Sequence, residues 1–125
     1  MRIFKNAWFS RFAGKEGITD GELVEAVNLL EAGRKLVGAA TDLGGGVYKM
    51  RLARSGEGKR GGYRVIVFFK SEERTFYEYC FAKSDRANIS EKDLRDFKKR
   101  AKNYLSMTDE QIEWNKKIRT FIEVL

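Results

Sequence analysis

Residues Val47–Lys70, VYKMRLARSGEGKRGGYRVIVFFK, decide how the rest of the chain is read. The stretch predicts two β-strands, Val47–Arg54 and Tyr63–Lys70, joined by the Gly-rich loop SGEGKRGG. Side chains alternate faces along a strand, so Lys49 and Arg51 project from one side and Tyr48, Met50 and Leu52 from the other. The stretch also holds Lys49, Arg51, Arg54, Lys59, Arg60, Arg64 and Lys70 against a single acid, Glu57, and so carries most of the chain's +7 formal charge. An ordinary solvated strand face mixes charge signs. This one does not.

Composition narrows the classes of function. A chain of 125 residues with 42% hydrophobic content is expected to form one domain, residues 1–125, with a real core. A charged fraction of 34% and a pI near 9.6 point to a polyanionic partner, either nucleic acid or an acidic protein. One cysteine, Cys80, and no histidine exclude an internal disulfide, a Cys/His zinc site and a histidine general base. Cys80 itself falls in an apolar strand pattern and reads as inert filling. No apolar run reaches membrane-spanning length. Lys5, Asn6, Ser10 and Arg11 interrupt the N-terminal apolar residues, so no signal-peptide core is expected and the expected location is cytoplasmic.

Working outward, Arg2–Lys5 reads as a short strand or as the lead-in to a helix over roughly Asn6–Lys15, where Trp8, Phe9 and Phe12 have helical core spacing. Thr19 and Glu22 form a capping box for a helix over Asp20–Ala32 with Leu23, Val24, Val27 and Leu30 on one stripe. A short strand near Ala40–Leu43 precedes Gly44–Gly46, read as a tight turn in preference to a phosphate-binding loop. After the central pair, Ser71–Arg74 turns the chain into a further strand, Phe76–Lys83. Ser90 opens a helix to about Ser106, with Leu94, Phe97, Ala101, Tyr104 and Leu105 facing inward and its many cations read as a solvated face. Thr108 starts a last helix, with Ile112, Trp114 and Ile118 on or near its inner face. The tail Thr120–Leu125 is apolar enough to add an edge strand or dock on the core.

A sheet face bearing several Arg and Lys and no acid is a phosphate-binding surface of low sequence specificity. Tyr63, Tyr77, Tyr79 and Phe81 lie close by in sequence, either as core or as platforms for unpaired bases. RNA carries its own nucleophile, the 2′-hydroxyl. A protein that strains the backbone and neutralises the transition state with guanidinium groups can cleave it without metal or histidine. Lysine gives up its proton more readily when like charges crowd it, which makes Lys49 the candidate base.

Val47-Tyr48-Lys49-Met50-Arg51-Leu52, then Gly62-Tyr63-Arg64-Val65-Ile66, then Phe81-Ala82-Lys83-Ser84-Asp85-Arg86-Ala87-Asn88-Ile89-Ser90 resemble the RelE superfamily of toxins from bacterial toxin–antitoxin operons, in a RelE/HigB-like branch. The combined pattern runs from Asp42 to Ser90. The resemblance implies an α+β fold: N-terminal helices packed on a mostly antiparallel sheet of about four strands, with C-terminal helices. It also implies ribosome-dependent cleavage of mRNA and inhibition of translation, held off by a cognate antitoxin of helix-turn-helix type, with no cofactor, no metal and no membrane. Carried over by position, Lys49, Arg51, Arg64 and Lys83 are the candidate catalytic residues. Arg54, Lys59, Arg60, Tyr63 and Arg86 are candidate RNA contacts. Ser84 stands where some relatives carry an arginine, and Ser90 where a tyrosine or histidine is often found; either Arg54 or Lys83 substitutes as the proton donor, or the activity is weak. The same scaffold also serves two alternatives, a non-cleaving RNA- or protein-binding relative and a ParE-like topoisomerase poison.

Overall fold

A computed structural model of the chain describes residues 1–33, 40–54, 58–82 and 88–124, with backbone alone at 53–54 and 58–61. The first strand, β1 (Arg2–Asn6), leads directly into α1 (Ala7–Glu16), and Asn6 serves as its N-cap by accepting from the Phe9 amide at 2.6 Å. The short apolar run is therefore both of the things its sequence allowed, a strand and a helix lead-in. Helix α2 (Asp20–Ala32) begins at the reciprocal Thr19–Glu22 capping box.

Strands β2 (Ala40–Gly44), β3 (Val47–Arg54), β4 (Gly58–Lys70) and β5 (Arg74–Ala82) then form an antiparallel meander. Strand β4 starts at Gly58, which pairs with Arg54, so much of the expected Gly-rich loop lies within the strand. Helices α3 (Glu91–Leu105) and α4 (Asp109–Lys117) follow, each opened by a capping box, at Ser90–Asp93 and Thr108–Gln111. The chain closes on β6 (Phe121–Glu123).

The sheet order is β2-β3-β4-β5-β1-β6, with β1 parallel to β5 and every other pair antiparallel. Six strands replace the expected four. The additional ones are the short strands β1 and β6, which the sequence offered only as alternatives, to a helix lead-in and to a docked tail.

Helices cover both faces. Phe9, Ala13, Leu23, Val27 and Leu30 from α1 and α2 pack on Met50, Leu52, Tyr63, Val65, Val67 and Tyr77. On the other face Phe97, Ala101 and Ile112 from α3 and α4 pack on Phe4, Val47, Ile66, Phe68 and Phe76. A strand covered on both sides must be apolar at every position, which is what β4 shows after Arg64.

Two details position the site. Gly44, Gly45 and Gly46 all have positive φ (90°, 62° and 83°) and make the β2–β3 turn, over which the side chains of Lys98 and Leu105 lie. A β-bulge in β5 separates the pairs Ile66↔Tyr79 and Val67↔Tyr77 and leaves Glu78 as the extra residue. Tyr77 therefore turns to the α2 side, where its hydroxyl donates to the Leu23 carbonyl at 2.7 Å, while Glu78 and Tyr79 both face α3.

Helix α4 differs from its expected orientation. Ile112 is fully buried, but Trp114 and Ile118 are 58% and 53% exposed. At about 100° per residue, positions two and six beyond Ile112 fall far round the helix from it, so one inner contact cannot bring the others in.

Candidate functional site

Alternation along β3 and β4, locked by their register, builds the site. Arg51 pairs with Arg64 and Lys49 with Ile66, and Ile66 belongs to the core beneath α3. Lys49, Arg51 and Arg64 therefore share one face of the sheet. Directly paired residues have Cβ atoms roughly 4.5–5.5 Å apart and diagonal ones about 7–8 Å, so three cationic side chains rise from adjoining positions. The row continues onto β5, where Arg64 pairs with Phe81 and Ile66 with Tyr79.

The environment of the three cations is uneven. Arg51 is exposed; Lys49 and Arg64 are half-buried. The Lys49 ammonium donates to Asn88 Oδ1 at 3.4 Å, across from the segment that leads into α3. Arg64 Nη1 is buried and meets no hydrogen-bond acceptor among the described residues. A buried N–H without an acceptor destabilises a fold by roughly 1–3 kcal/mol, and like charges directly opposite add to that. Such an arrangement is suited to an anionic oxygen arriving from outside, and phosphate offers the geometry that a guanidinium fork matches.

Tyr63 does not join this group. It is adjacent to Arg64 and so points to the opposite face, where it is 2% exposed, donates its hydroxyl to Glu16 at 3.0 Å and meets the ring of Phe12 edge-on. The alternation that separates Tyr63 from Arg64 is visible in the sequence itself. Arg54, Lys59 and Arg60 have described backbone on β3 and β4, but their side chains lie outside the described residues, as Lys83 and Arg86 do entirely. Cys80 is buried on the α2 side, and burial, helped by Glu16, pushes its thiol up to about 12.

Beyond β4 the same face bears an aromatic and charged rim. Trp8 on α1 lies 4.8 Å from the ring of Tyr79, which also neighbours Phe81 at 5.9 Å and Phe97 at 6.1 Å. The bulge carboxylate of Glu78 accepts from Arg100 Nε at 2.7 Å and from Asn6 Nδ2 at 3.2 Å. Apart from Tyr79 and Phe81, two residues apart on one strand face, none of these couplings is visible in sequence spacing. Glu78 reaches α3 because the bulge turns it there, and Arg100 looks like one more cation on a solvated helix face.

A family model described as the RelE toxin of the RelE/RelB toxin–antitoxin system matches residues 1–124. The chain belongs to the RelE toxin family. It is thus the toxin of a toxin–antitoxin system, and its family implies a cognate antitoxin as partner. Among the described residues of this RelE-family toxin, no three Cys, Asp or Glu side chains gather as a metal site would require, and no helix is long and apolar enough to cross a membrane.

Proposed function

We propose that this RelE-family toxin cleaves mRNA on the ribosome by activating the 2′-hydroxyl of the RNA. The observation that carries the reading is the Arg51–Arg64 pair beside Lys49, on one face, with a buried Arg64 N–H that meets no acceptor among the described residues. In the proposed reaction Lys49 takes the proton of the 2′-hydroxyl, whose oxygen attacks the adjacent phosphorus. The bond from phosphorus to the 5′-oxygen breaks, leaving a 2′,3′-cyclic phosphate. Arg64 and Arg51 hold the non-bridging oxygens, and their charge acts most strongly where solvent is excluded, on the doubly charged transition state. Lys83 supplies the proton of the departing 5′-oxygen, and Arg54 offsets its developing charge without giving up a proton. Arg60, Lys59 and Arg86 contact flanking phosphates.

The ribosome's part in this reading is to hold mRNA in the strained, in-line conformation that three side chains on a sheet face cannot enforce alone. Primer extension on ribosomes programmed with a defined mRNA tests it. Cleavage by the wild-type protein, absent with Arg64→Ala and absent on the same mRNA without ribosomes, is the expected result. Intact mRNA at saturating toxin overturns it, and intact mRNA together with growth arrest on expression directs attention to a non-nucleolytic target.

A further inference from the structure

We infer that the RNA path does not stop at the three central cations but crosses β5 to a second subsite, in which Arg100 grips a backbone phosphate and Trp8 with Tyr79 supports a flanking base. The inference rests on the nucleolytic reading above and extends it to a segment of single-stranded RNA outside the cleavage centre.

Arg100 is held as a binding group rather than as a loose surface cation. Its Nε donates to the nearly buried carboxylate of Glu78 at 2.7 Å, and its guanidinium lies 5.2 Å from the centre of the Phe97 ring. Both contacts fix the plane of the fork, while its terminal nitrogens donate to no acceptor among the described residues and the side chain is 43% exposed. A guanidinium anchored on one edge and open on the other is arranged to take a phosphate, with little side-chain freedom left to lose. Glu78 is the positioning residue.

Trp8 supplies the second element. It is 38% exposed although it stacks on Phe12 at 5.3 Å and 18° and tilts against Tyr79 at 4.8 Å. Core tryptophans are not left that open. Tyr79 links the two subsites, because it stands one strand over from Ile66, in the row next to Arg64, and touches both Trp8 and Phe97. Charge followed by rings along one face is how single strands are held without sequence preference.

The test uses the full chain and a 2′-O-methyl RNA heptanucleotide, which cannot be cleaved, followed by fluorescence anisotropy. Parallel assays measure mRNA cleavage on programmed ribosomes and affinity for the cognate antitoxin. Arg100→Gln is expected to weaken the oligonucleotide roughly 10-fold and to lower the dependence on salt by about one phosphate contact, with Arg100→Lys intermediate. Trp8→Ala is expected to weaken it about 10-fold and Trp8→Phe to restore most of the loss. Replacing single bases of the heptamer by abasic sites gives a readout independent of folding: one such position is expected to weaken wild type and to have no further effect in Trp8→Ala.

Oligonucleotide binding that responds to Arg64→Gln but not to Arg100→Gln or Trp8→Ala overturns the subsite while leaving the nuclease reading intact. Absence of binding by wild type overturns it too, and the ribosomal assay then decides the nuclease reading separately. If Arg100→Gln and Trp8→Ala weaken only the antitoxin, the rim is a protein interface and the inference fails.

Discussion

Arg51 and Arg64 face each other directly across the β3–β4 ladder, and one guanidinium nitrogen of Arg64 is buried without an acceptor among the described residues. For folding alone this is a poor arrangement, since it sets like charges side by side and strips water from one of them. On the proposed reading, this opposition is stability given up for phosphate binding. Replacing Arg64 by Met should therefore raise stability by about 1 kcal/mol in urea denaturation while lowering ribosomal cleavage about 10²- to 10³-fold. Arg64→Met that is both less stable and fully active contradicts the assignment.

Lys49 is open to two roles that charge alone does not separate. As a clamp it needs only its positive charge; as a base it needs a removable proton, which arginine does not provide. Lys49→Arg is expected to bind uncleavable RNA within about 3-fold of wild type, yet, like Lys49→Ala, to lose cleavage roughly 10²- to 10⁴-fold. A Lys49→Arg enzyme with wild-type cleavage and an unchanged pH–rate profile reassigns the residue to phosphate contact.

The turn between β2 and β3 bears the packing of α3. Gly46 has φ of +83°, its carbonyl accepts from the Phe69 amide at 2.9 Å, and a Cβ there would collide with Leu105. Gly46→Ala should cost about 2–4 kcal/mol, combining left-handed backbone strain with overpacking. Gly45→Ala meets only the flexible Lys98 chain, so the strain of its +62° backbone dominates, about 1 kcal/mol. In a double-mutant cycle Leu105→Ala is expected to recover the overpacking part of the Gly46→Ala loss and not the backbone part. Additive effects in denaturant melts run against this account.

The periodic elements were legible because their sequences repeat a physical rule. Thr19 and Glu22 announce α2, and alternation alone assigns Lys49 and Arg51 to one face. What alternation cannot supply is register: a β-bulge between Leu52 and Arg54 shifts the pairing near the loop, so the direct opposition of Arg51 and Arg64 emerges only in the structure. Glu78 illustrates the same limit more sharply. One extra residue turns a carboxylate of β5 towards α3, converts Arg100 from a generic surface cation into an anchored one, and sends Tyr77 and Tyr79 to different faces. Trp114 misleads for the opposite reason, because an apolar residue on a nine-residue helix with a single buried anchor has no obligation to face inward.

The C-terminal strand β6 is fastened by charge as much as by its short ladder with β1. Arg2 holds Glu123 through two bonds of 2.9 and 3.0 Å and Glu113 through a third of 2.7 Å, while Lys116 approaches Glu123 at 2.8 Å and the Val124 amide donates to Ile3 at 2.7 Å. The hydrogen bonds from Arg2, followed by that from Lys116, hold the Glu123 carboxyl down at about 2, against an ordinary value of 4.5. A depressed carboxylate contributes stability that is fully present above its unfolded value and is lost as pH falls through its folded one. Docking of β6 should therefore weaken progressively from pH 4.5 towards pH 2, and more readily at high salt, which screens the partly exposed cluster. Glu123→Gln should remove that pH dependence and cost about 1 kcal/mol at neutral pH. Amide exchange at Val124, compared with the buried β4 amides as an internal reference, reads this directly. Val124 protection that stays level with β4 down to pH 2 would show that the apolar contacts of Phe121, and not the ion cluster, fasten the strand.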